Sequence, residues 1–121
     1  MVKLDSAELQ RRLLRALDVG GNTHTPADVA LAVHEGRMQA WTHDDSLIVT
    51  QVDQFPRCNR LNTVLAVGRI NDLVAMGSDI YAFGREHDCS AIRMEGRLGW
   101  ASVLPRYGWK QTNKVIFERA L

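Results

Sequence analysis

Residues 61–94 read LNTVLAVGRINDLVAMGSDIYAFGREHDCSAIRM, and this stretch decides the architecture. Leu61–Val67 is a short β-rich run whose last four residues are all apolar, the pattern of a strand covered on both faces. Gly68 ends it. Ile70, Leu73, Val74, Gly77, Ile80, Tyr81 and Gly84 then fall on one helical stripe, which predicts a helix from about Ile70 to Glu86. The glycines on that stripe cost helix propensity and point to close packing against a sheet. Ala91–Met94 returns to strand composition, so the segment reads as strand, helix, strand.

Upstream, Met38–Thr42 and Leu47–Val52 are short β-rich runs separated by His43-Asp44-Asp45-Ser46, a turn by composition, and together they predict a hairpin. Gln54-Phe55-Pro56-Arg57 interrupts the strand pattern before Leu61. Further back the period is helical. Leu4, Leu9, Leu13, Leu14 and Leu17 predict an amphipathic helix from about Asp5 to Asp18, ended by Gly20-Gly21-Asn22. Thr25-Pro26 is a cap followed by proline at the first helical position, with Val29, Ala32 and Val33 as the buried stripe and Gly36 as the stop. Downstream, Leu98–Leu104 predicts a short helix and Lys114–Glu118 a final strand. The order is α-α-β-β-β-α-β-α-β. It predicts an α/β or α+β domain spanning residues 1–121, with a mixed central sheet flanked by helices and with residues 1–22 as helix and linker turn.

Composition bounds the function. With 121 residues, the chain is long enough for one modest core and too short for two. Its longest apolar runs are strand-sized, which argues against a membrane span. The first residues carry scattered charges and no hydrophobic signal core, so the expected location is cytoplasmic, and Cys58 and Cys89 are expected as free thiols. Net charge is +1. Residues 85–121 hold seven Lys/Arg against four Asp/Glu, and residues 41–84 hold three against five. So mild an asymmetry argues against a nucleic-acid footprint.

The closing stretch GRLGWASVLPRYGW, Gly96–Trp109, places two Gly-Trp steps around a helix-like segment. With the strand–helix–strand before it, this resembles the end of the GNAT (Gcn5-related N-acetyltransferase) fold, where a helix commonly ends in a Y-x-x-x-G-F pattern and where LPRYGW stands here. More closely, Thr25–Leu121 resembles small GNAT-like proteins of bacteriophages and prophages, in which GR-GW…L…GW recurs after a tryptophan strand such as MQAWTHDDSLIVTQV. The resemblance implies that the strands at Leu61–Val67 and Ala91–Met94 are adjacent, parallel and splayed, with the intervening helix as a right-handed crossover. It implies acetyl transfer from acetyl-CoA to an amine on a protein or small molecule, in the cleft where those strands part. A second reading is a GNAT-shaped protein without catalysis that binds a host or virion protein partner.

Both readings turn on the same residues. The family holds the cofactor's pyrophosphate with a Q/R-x-x-G-x-G/A loop leading into a helix, whose N–H groups face the phosphates. The matching junction here is VGRIND, so the resemblance implies cofactor contacts from Val67, Gly68, Arg69, Ile70 and Asn71. Asp72, in the helix's first turn, repels an anion placed there. The family's usual acid is a tyrosine four residues before the glycine; that position is Leu104, and Tyr107 stands within one helical turn of it. The resemblance thus implies Tyr107 as the acid, with Arg97 as a second catalytic candidate at a strand-to-helix junction, where a guanidinium can clamp an anion or pair with Glu95 or Asp88. The expected strand Leu61–Val67 lacks the glutamate that often serves as base, and Asp53 and Glu35 are the nearest carboxylates in order. Trp41, Trp100 and Trp109 read as core. His24, His34, His43 and His87 lack the spacing of a zinc site.

Overall fold

The structure, a computed structural model, describes residues 11, 13, 14, 17, 23–96 and 98–121. Its elements are α1 (Pro26–His34), β1 (Gln39–His43), β2 (Ser46–Gln54), β3 (Asn59–Val67), α2 (Ile70–Ala75), α3 (Gly77–Glu86) and β4 (Cys89–Met94), followed by two 3₁₀ turns, η1 (Leu98–Ser102) and η2 (Leu104–Tyr107). The four strands form one sheet in the order β1-β2-β3-β4. The pairs β1–β2 and β2–β3 are antiparallel, and β3–β4 is parallel. The mixed sheet and the hairpin are as the sequence predicts, and the adjacent parallel pair is as the resemblance implies.

The hairpin turns through Asp44-Asp45, with His43 and Ser46 as its last pair. Asp44 takes φ 49, a left-handed conformation that a short polar side chain tolerates. The next reversal, from β2 into β3, is held by the Phe55 N–H donating to the Cys58 carbonyl at 2.8 Å. The Arg60 guanidinium lies over the Phe55 ring, 5.2 Å from its centroid.

One irregularity sets the faces of β3. Val49 pairs with Leu65 but Thr50 pairs with Thr63, so Val64 is an extra residue in β3, a bulge. The period-two alternation is shifted there. Leu61 and Ala66 therefore both face one core, although five positions apart, while Leu65 joins the other. The first core gathers Leu13, Leu17, Val29, Ala32, Leu47, Val49 and Leu65; the second gathers Ile48, Leu61, Leu73, Met76 and Ile80 under α2 and α3. Leu13 and Leu17 are helical and buried; most of the helix expected over 5–18 lies outside the described residues.

The start of α1 is a capping box. The Thr25 hydroxyl accepts from the Asp28 N–H at 3.1 Å, and the Asp28 carboxylate accepts from the Thr25 N–H at 2.8 Å. Hydrogen bonding from the Thr25 N–H, then from the Thr25 side chain, holds the Asp28 carboxyl below its ordinary value. The stabilisation is therefore present at neutral pH and is lost as pH falls through that lowered value. Thr25→Ala is expected to cost about 1 kcal/mol of stability in urea unfolding at pH 7. The gap from wild type should shrink in acid.

Three expected elements differ. The helix over 70–86 is two helices meeting at Met76 (φ −78, ψ −13), where Gly77 supplies the weak helix position; a Cβ on Gly77 would meet the Tyr81 ring at 3.3 Å. The helix over Leu98–Leu104 is instead the pair of 3₁₀ turns, since Pro105 offers no N–H to continue a regular ladder. Lys114–Glu118 forms no strand: Val115, Ile116 and Phe117 are 73%, 69% and 92% exposed. Alternating apolar residues specify a strand only where a neighbour accepts its hydrogen bonds, and none of the described strands does so here.

Candidate functional site

The parallel ladder between β3 and β4 stops at the pair Thr63–Met94, although β3 continues to Val67. The bulge at Val64 begins at the same point. A cavity of about 170 Å³ adjoins this parting. The sheet contributes Thr63, Ala66, Ile92 and Met94, the helices contribute Leu73, Ile80 and Tyr81, and the segment after β4 contributes Trp100, Tyr107 and Trp109. Among the described residues, no charged side chain lines it. The Trp109 Nε1–H donates to the Tyr81 hydroxyl at 3.2 Å, and their rings lie 6.5 Å apart.

The structure sorts the expected site residues. Tyr107 closes η2, is 43% exposed and lines the cavity. Of Val67, Gly68, Arg69, Ile70 and Asn71, Ile70 lines it, and Val67 packs instead against the core on the opposite face. Arg97 lies outside the described residues. Asp53 accepts from the Gln51 amide at 2.9 Å and Glu35 pairs with Arg37 at 2.8 Å; neither lines the cavity. Trp100 and Trp41 pack against the second core, Trp41 edge-on to Phe83 at 5.6 Å with its indole N–H donating to Thr50 at 3.0 Å.

The junction after β3 is closed by a side chain from the hairpin. The Ser46 hydroxyl accepts from the Arg69 N–H at 3.1 Å and donates to the Asp72 carboxylate at 2.8 Å. Gly68, at φ +132, lets the backbone pass against Ser46. Asp72 thus carries its charge at the start of α2 and is tied to the hairpin end. It also stands near His43 and Asp44, their potential ligand atoms within 4.8 Å of one another, a grouping across 29 positions that spacing arguments miss. Cys58 and Cys89 are free, and burial, then the Asp88 charge, pushes the Cys89 thiol up, away from thiolate chemistry.

Tyr81 is the site residue that sequence reasoning misses as such. It is legible only as a member of the helical stripe; in the fold it lines the cavity, and its hydroxyl accepts from Trp109, 28 residues on. Among the described residues no helix is long and apolar enough to cross a membrane.

No family model and no curated protein matches the chain. Solved structures do. A possible acetyltransferase from Clostridium difficile superposes with a TM-score of 0.68 at 11% identity, covering 98% of this chain and 91% of that one. A Thermus thermophilus protein gives 0.68 at 10%, covering 96% and 93%. An acetyltransferase from Trypanosoma brucei gives 0.63 at 10%, covering 92% and 94%. Identities this low establish the fold alone. The fold is GNAT-like, an α+β mixed sheet with helices on both faces.

Proposed function

We propose that the chain is a GNAT-like acyltransferase that moves an acyl group from a CoA thioester to an amine on a protein or small molecule, with acetyl-CoA as the donor its resemblance implies. The observation that carries this reading is the parting of β3 and β4 beside an apolar cavity with Tyr107 in its wall. In such a transfer the amine nitrogen forms a bond to the thioester carbon, the C–S bond breaks, and the departing thiolate takes a proton. In this reading Tyr107 gives that proton, and its phenolate recovers the one that the attacking nitrogen sheds as the amide forms. Among the described residues no carboxylate or imidazole lines the cavity, and in this reading the main gain comes from holding two reactants together.

The thioester end suits the cavity. The diphosphate end meets a partly filled site, because Ser46 takes the Arg69 N–H and Asp72 adds a negative charge. That observation favours the second reading, a GNAT-shaped module that binds a protein partner and has lost catalysis. Calorimetric titration with acetyl-CoA separates the two. The acyltransferase reading expects saturable binding, tightened about two- to fivefold by Asp72→Asn, which keeps an acceptor for Ser46 and removes the charge. No saturable heat with wild type or variant at millimolar acetyl-CoA would leave the binding module.

A further inference from the structure

We infer that the cavity beside the β3–β4 parting is a pocket for an apolar group of about six carbons, so that the acyl group transferred is a medium-length or aromatic one rather than acetyl; the donor assignment rests on the acyltransferase reading above. The first argument is size. A dry apolar cavity of about 150 Å³ in another protein accommodates benzene. The space here is about 170 Å³. An acetyl group, with two carbons, fills only a fraction of it, and unfilled apolar space forfeits both contact and transfer free energy.

The second argument is chemistry. Ala66, Leu73, Ile80, Ile92 and Trp100 supply hydrocarbon walls. The polar atoms are few, and two of them, the Trp109 indole N–H and the Tyr81 hydroxyl, already bond each other at 3.2 Å. The amide groups of a pantetheine arm need partners that such walls lack, since a buried amide without a hydrogen bond is strongly disfavoured. Hydrocarbon has no such demand. The pocket therefore suits the acyl tail, and the amide-bearing arm belongs at the more open side, toward Val74 and Tyr107, which are 37% and 43% exposed.

The test compares CoA, acetyl-CoA, hexanoyl-CoA and benzoyl-CoA by calorimetry on the full chain, with benzene as a CoA-free probe in thermal unfolding. Hexanoyl-CoA is expected to bind about two hundredfold tighter than acetyl-CoA when its four additional methylenes are fully buried. Ala66→Phe, which fills the pocket, should abolish that preference. Ala66→Leu, a smaller filling of the same hydrocarbon wall, should weaken the preference in the same direction if Ala66→Phe fails to fold. Equal affinity for acetyl- and hexanoyl-CoA would overturn the inference and leave the acyltransferase reading standing. If no CoA compound binds but benzene raises the melting temperature of wild type and not of the pocket-filling Ala66 variant, the pocket is upheld and the acyltransferase reading falls. Failure of both the thioester preference and the benzene shift would overturn the pocket itself.

Discussion

Gly68→Ala is expected to lower stability by roughly 4 kcal/mol, combining left-handed strain with overpacking. Gly68 sits at φ +132, and a Cβ there would run into the Ser46 side chain and come within 2.8 Å of the Ser46 Cα. Ser46 cannot step aside. It is 1% exposed, pairs with His43 at the hairpin end, and holds both the Arg69 N–H and the Asp72 carboxylate. Urea unfolding measures the loss. Adding Ser46→Gly should restore only the part due to side-chain collision, because the strained φ and the crowding against the residue 46 backbone remain. A single Gly68→Ala variant within about 1 kcal/mol of wild type would show that the junction relaxes freely.

Leu61→Ala is expected to cost about 3 kcal/mol, the usual range for emptying a closed leucine site. Leu61 is 1% exposed at the centre of the core beneath α2 and α3, and the space that a Cβ on Gly84 would occupy lies 3.5 Å from its Cδ2. With a glycine over the site, position 84 has no side chain to swing in and fill the void. The denaturation midpoint should fall without a change in slope. A loss under about 1 kcal/mol would mean that α3 settles onto the sheet.

The parts of this fold that were legible in the sequence are those fixed by local chemistry. Thr25-Pro26 marks a helix start, His43-Asp44-Asp45-Ser46 marks a turn, and the change of period marks the strands; the adjacent parallel pair comes from the family resemblance. What was not legible depends on partners distant in the chain. The bulge at Val64 follows from pairing with β2, not from any residue preference of β3. The break at Met76 needs the weight of Gly77 to be judged against the sheet below, and Lys114–Glu118 has strand composition without a strand neighbour. The same division runs through the site. Tyr107 is singled out only through the family resemblance, three positions from where the pattern puts the tyrosine, whereas Tyr81 and the Ser46–Asp72 hydrogen bond are joined across 28 and 26 positions by the fold alone.

The exposed stretch Val115-Ile116-Phe117 has a colloidal consequence. Three successive β-prone apolar residues in water form an adhesive for other copies of the chain, and the open edge of β4 is a surface they can extend. The triplet is bracketed by Lys114 on one side and Glu118-Arg119 on the other, charges that act as gatekeepers by raising the cost of stacking like segments. Their protection has the reach of the ionic atmosphere, about 8 Å in physiological salt and about 3 Å at 1 M. Solubility of this chain is therefore set less by its near-zero net charge than by three charged residues and the salt around them.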